Sequence, residues 1–77
     1  MKIEPGMIID GEKFYVAGEK LRFIVDDPKQ KIHDCIFRRA HPHQIAPDVM
    51  VIRVKSLSGE KYSINANHVL EIRRLEE

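Results

Sequence analysis

Residues 48–74 read DVMVIRVKSLSGEKYSINANHVLEIRR, and their pattern decides the fold class. Residues 49–55 alternate. Met50, Ile52 and Val54 fall on one face, and Val51, Arg53 and Lys55 on the other, as expected of a half-buried strand. Residues 61–64 supply a returning strand, so the loop length between them sets the register. A two-residue loop at Ser58 and Gly59 would put Val54 opposite Ser63 and break the apolar face. A three-residue loop of Leu57, Ser58 and Gly59 pairs Val54 with Tyr62 and Ile52 with Ile64. It also places Gly59 at the left-handed position of a type I turn followed by a bulge.

Downstream, Asn65, Ala66 and Asn67 read as a short kink, and residues 68–73 as a further strand. That strand would carry Leu70 and Ile72 on one face, and Val69, Glu71 and Arg73 on the other. A helix capped by Asn67, with Val69, Ile72 and Leu75 along one side, is the competing reading. The strand is preferred.

Upstream, Asp10 and Gly11 sit between two apolar runs and predict a hairpin. A loop of those two residues sets Ile9 opposite Glu12 and Met7 opposite Phe14. Met7, Ile9, Phe14 and Val16 would then be buried. Residues 17–20 form the next turn. Residues 21–25 alternate, with Leu21, Phe23 and Val25 inward, and residues 26–30 end that strand with two aspartates and a proline. Residues 32–39 make an untidy strand, half apolar on both faces, which implies a bend, a bulge or a covered outer face. Residues 40–48 hold Pro42, Pro47, His41 and His43 and read as a long irregular loop.

The run Ile64, Asn65, Ala66, Asn67, His68, Val69 resembles the end of SH3-type barrels. There an inward apolar residue closes one strand, a single 3₁₀ turn follows, and a valine opens the next. The resemblance implies an all-β, SH3-like barrel of five to six short antiparallel strands, with a 3₁₀ turn near Asn65–Asn67. It does not imply binding of proline-rich peptides. The chain has no tryptophan, the paired aromatic and acidic motifs are missing, and His68 stands where tyrosine is common.

The 77 residues suit one small domain. Thirteen basic residues face twelve acidic ones, a net charge of +1, so overall charge does not support a strongly basic nucleic-acid binder. The lone cysteine, Cys35, excludes an internal disulfide and suits a reducing compartment. The first six residues contain Glu4 and Pro5 and no apolar run, and no apolar stretch is long enough to span a membrane. A cytoplasmic protein is expected, with no membrane partner.

Three groups are candidates for function. His33, Cys35, His41 and His43 are zinc-ligand types within eleven residues, but their spacing fits no standard metal motif. The plainer account is a buried cysteine followed by a polar loop, with no cofactor. Arg38, Arg39, Arg53, Lys55 and Lys61 would share one outer sheet face if residues 32–39 pair with residues 49–55. Such a face could bind a protein partner or nucleic acid. Ile8, Tyr15, Ile24, Val51 and Val69 fall on nominally outer faces, and clustered they would mark an interface with a protein or a second copy.

No catalytic constellation is visible. Asp26 and Asp27 read as a turn, Ser56, Ser58 and Ser63 lack a nucleophile elbow, and the four glycines are isolated. The expectation is a non-catalytic protein-interaction or assembly module, with a nucleic-acid-binding barrel and a metal site as alternatives. Its binding surface would be Arg38, Arg39, His41, His43, Arg53 and Lys55.

Overall fold

A computed structural model describes residues 2–75 as eight strands and one 3₁₀ turn. Strands β1 (Lys2–Glu4), β2 (Met7–Asp10) and β3 (Lys13–Tyr15) form an antiparallel meander. Strands β4 (Lys20–Val25), β5 (Ile32–Pro42), β6 (Met50–Ser56), β7 (Lys61–Asn65) and β8 (Val69–Arg74) form a second antiparallel sheet in the order β7-β6-β5-β4-β8. The domain is therefore nearly all β, as the alternation predicted. The two sheets do not close into a continuous barrel, and the strands number eight rather than five or six.

The β6–β7 hairpin has the register read from its pattern. Val54 pairs with Tyr62 and Ile52 with Ile64. Gly59 has φ +100°, and its N–H donates to Ser56 O at 2.9 Å. Leu21, Phe23 and Val25 of β4 are buried as expected. Asp27 ends the following turn by accepting the Lys29 N–H at 2.9 Å. The 3₁₀ turn Ala66–His68 follows β7, and the Asn65 side chain caps it by accepting the Asn67 N–H at 2.9 Å.

The first hairpin departs from expectation by one residue. Its loop is Gly11 and Glu12, so Asp10 pairs with Lys13, Ile9 with Phe14 and Ile8 with Tyr15. Only Gly11 has positive φ, +63°, which matches a II′ turn and not the turn that needs both central residues left-handed. The slip exchanges the two faces. Ile8 and Tyr15 are fully buried, whereas Phe14 and Val16 are exposed, and Met7 and Ile9 are only half-buried. A further strand, β1, precedes this hairpin and pairs with β2 across the turn at Pro5 and Gly6.

β8 is a strand, but its faces also differ from expectation. Ile24 pairs with Glu71 while Val25 pairs with Val69, so Leu70 is the extra residue of a bulge. Val69 and Ile72 both turn inward, and Leu70 is exposed. Of the five apolar residues placed on outer faces, Ile8, Tyr15 and Val69 belong to the core, and Ile24 and Val51 are half-buried. That set forms no surface patch.

β5 explains its own untidy pattern. It runs to Pro42, beyond the end expected at Arg39, so His41 is a strand residue and the loop after it is shorter. Phe37 pairs with Val54 and Arg39 with Arg53, which leaves Arg38 as an unpaired bulge residue. Cys35 and Phe37 point inward before the bulge and Ala40 after it. The extra residue keeps arginine out of the core and bends the strand. The bend lets β5 serve both sheets. Its first half pairs with β4, while Gly18 N–H donates to Phe37 O at 2.8 Å and Gly6 N–H to Ala40 O at 2.7 Å.

Arg74 joins the sheets at the other end. Its Nε donates to Glu19 Oε1 at 2.8 Å, its Nη2 to Phe14 O at 2.6 Å, and its guanidinium lies 4.5 Å from the Tyr15 ring centre. Partial burial works against ionisation of Glu19. The Arg74 and Val16 hydrogen bonds and the Arg74 charge outweigh it and hold the carboxyl below its ordinary range.

Candidate functional site: a basic face on strands β5 to β7

Inward packing of Phe37, Ala40, Ile52, Val54 and Ile64 leaves the other face of β5, β6 and β7 in solvent. Pairing arranges that face in three rungs. The first holds Ile36, Lys55 and Lys61, the second Arg39, Arg53 and Ser63, and the third His41, Val51 and Asn65. Arg39 thus lies directly across from Arg53, and Lys55 across from Lys61. Like charges directly opposite in a sheet repel, so both rungs destabilise the isolated fold.

No side chain of Arg38, Arg39, Arg53, Lys55 or Lys61 has an ion pair or hydrogen bond among the described residues. The other three arginines differ. Arg22 grips Asp34 through two hydrogen bonds of 2.7 and 3.0 Å, Arg73 grips Glu71, and Arg74 holds Glu19. The Arg22 hydrogen bond and charge hold the Asp34 carboxyl below its ordinary range. Half of the arginines are thus neutralised in pairs, and the unpaired half share one place. Arg38, Arg39 and Arg53, with His41 and Gln44, line a shallow depression of about 360 Å³.

A second depression of about 410 Å³ adjoins it and shares His41, Gln44 and Arg53. His43, Ile45, Val51 and Ser63 complete its wall. Its rim is the loop after β5. His43 N–H donates to Val49 O at 2.8 Å and ties the base of that loop. The exposed His43 ring braces the loop, with Nδ1 accepting the Ile45 and Ala46 N–H groups at 3.1 and 3.2 Å. His43 is therefore a loop-ordering residue, and Nδ1 carries no proton in this arrangement. His41 has the opposite polarity, because Nδ1 donates to the Pro42 carbonyl at 2.8 Å.

The candidate metal group does not assemble. Cys35 is buried in the core, His41 lies on the opposite face of β5, and His43 has its Nδ1 lone pair occupied. Among the described residues no three His, Cys, Asp or Glu side chains are placed to hold a metal ion. His33 meets the Tyr62 hydroxyl at 3.3 Å, near Cys35. Burial pushes the Cys35 thiol up to about 11 and the Tyr62 hydroxyl up to about 12, so both are neutral near pH 7.

Of the predicted surface residues, the structure brings Arg38, Arg39, His41 and Arg53 together. Lys55 lies one rung away, and His43 shapes the neighbouring loop. Gln44, Ile45 and Ser63 were not singled out as binding residues from sequence. Ser63 faces outward opposite Arg53 in the register the hairpin pattern predicts, and Gln44 and Ile45 lie in the loop expected to carry binding, but only the fold of that loop brings them to the depressions. The class defined here is a small all-β domain with an unneutralised basic face. The chain matches no protein-family model, no curated protein and no solved structure. Among the described residues no helix is long and apolar enough to cross a membrane.

Proposed function

We propose that this chain is a non-catalytic interaction module whose β5–β7 face docks an anionic partner. One observation carries this reading. Arg38, Arg39 and Arg53 converge on one depression without a carboxylate, although the chain pairs its other arginines with acids. Guanidinium forks held side by side suit planar carboxylates or phosphates, which they bind through paired hydrogen bonds. An anion between Arg39 and Arg53 would turn a repulsive rung into a favourable one.

A non-catalytic role accords with a thiol buried and raised to about 11, which has almost no thiolate at neutral pH. A free, buried cysteine also suits a reducing, cytoplasmic setting. The capped 3₁₀ turn between β7 and β8 supports an SH3-like reading of the second sheet.

Retention on immobilised heparin, a generic polyanion, tests the docking face. The unmodified protein should elute at clearly higher salt than the Arg39→Glu/Arg53→Glu variant. Lys29→Glu/Lys31→Glu carries the same charge change on an exposed turn elsewhere and should elute near the unmodified protein. Equal losses in the two variants would reduce the effect to net charge and reject a defined face.

A further inference from the structure

Resting on the anionic-docking reading, we infer that the partner is an acidic polypeptide segment with an apolar side chain beside its carboxylates, and not a nucleic acid. The two adjoining depressions differ in chemistry. One is walled by Arg38, Arg39 and Arg53. The other is walled in part by Ile45 and Val51, and shares Arg53 and His41 with the first. A ligand lying across both meets charge and then apolar surface within one step along the sheet.

Ile45 is the second sign. It is 89% exposed at the tip of the loop, the most exposed large apolar residue described. Its position is not slack. His43 Nδ1 holds its backbone N–H, Val49 N–H donates to Ala46 O at 2.9 Å, and His43 closes the loop base. The branched Cβ of isoleucine restricts χ1, so ordering the backbone removes part of the side chain's freedom as well. An apolar knob restrained in this way loses less freedom on burial, which favours a partner with apolar surface to cover it.

Nucleic acid fits this face less well. Binding to single strands draws on aromatic faces that stack on bases. The three rungs carry no Phe, Tyr or Trp, and their only ring is that of His41. A phosphate backbone would use the arginines but would leave Ile45 and Val51 in water.

Fluorescence polarisation with four labelled probes tests the inference. The probes are a short Asp/Glu-rich peptide carrying leucines, the same peptide with serine at those positions, and oligo(U) and oligo(dT) of similar length. The leucine peptide should bind about tenfold tighter than the serine peptide, as expected for burying one aliphatic side chain. Ile45→Ser should erase that difference and leave serine-peptide binding unchanged. Arg39→Glu/Arg53→Glu should abolish binding of both peptides, with thermal unfolding showing an intact fold.

Equal binding of the two peptides, no effect of Ile45→Ser, or tighter binding of either oligonucleotide would overturn the inference. If the arginine variant still abolishes binding in those cases, the docking face stands and only the partner class falls. If no probe binds, or the arginine variant binds every probe normally, both readings fall.

Discussion

Arg53→Glu should make the isolated protein more stable while weakening the proposed docking of anions. Arg53 lies directly opposite Arg39 on the exposed face, and neither side chain has an acidic partner. A like-charge pair in this position costs roughly 0.2–1 kcal/mol, and an opposite-charge pair gains a similar amount. Reversing one charge changes both contributions, but exposure and screening favour the lower end, so a net gain of about 0.5 kcal/mol is expected at low salt. For a domain of this size, with an m value near 1 kcal/mol/M in urea, the midpoint should rise by about 0.5 M without a change in m. The gain should fade in about 1 M salt, where the Debye length is only ~3 Å. It should also shrink in an Arg39→Gln background, because the interaction belongs to the pair. Urea titrations of the four proteins at two salt concentrations provide the measurement. A low-salt loss of stability, or a gain that persists in high salt and without Arg39, would show that the rung is not under electrostatic strain.

Other perturbations probe the frame beneath the face. Phe37→Ala removes a fully buried ring at the bulge, and at about 3–5 kcal/mol it should take most of the stability of a 77-residue domain, read by loss of the thermal transition. Gly59→Ala should cost about 1 kcal/mol in urea unfolding. Its φ is +100°, and a Cβ there would meet only Lys55 Cε at 3.9 Å, so backbone strain and not crowding is responsible. Cys35 should react with a disulfide reagent at neutral pH only as fast as the domain opens, because its thiol is buried and raised to about 11; rapid reaction under native conditions would contradict its placement. Asp34 and Glu19 are more acidic folded than unfolded, so the unfolded chain binds protons first as pH falls. Their contribution is complete above the ordinary values of 3.8 and 4.5 and is lost as pH drops through the lower folded values. Asp34→Asn should flatten that acid limb and lower the stability at pH 7, both seen in thermal melts across pH.

The β6–β7 hairpin was legible from residues 50–64 alone. Alternation admits one loop length, Gly59 takes the only left-handed position, and all the partners lie within one turn of each other in the chain. The same logic placed Leu21, Phe23 and Val25 inward. It failed where one residue more or less reverses a face and local sequence offers no preference. Asp10 and Gly11 fit a hairpin in either of two registers. The one adopted buries Ile8 and Tyr15 because they complete a core shared with β5 and β8. The bulges at Arg38 and Leu70 have the same origin. Each lets a strand keep apolar residues inward along a bent path, and that path exists only once both sheets pack.

The candidate site divides in the same way. Alternation along residues 50–55 turned Arg53 and Lys55 outward, whereas Arg38, Arg39 and His41 were picked out by residue type alone, because residues 32–39 are half apolar on both faces and residues 40–48 read as a loop. Their convergence depended on the bulge, which sets Arg39 against Arg53. The roles of His43 and Ile45 depended on a loop closed by contacts along its own backbone. Alternation along a strand is a local property and survives in the sequence. Register across a bulge is settled by packing between strands far apart in the chain, and the exposure of the loop tip by hydrogen bonds among residues 43–49 that no alternation pattern records; only the folded protein carries either.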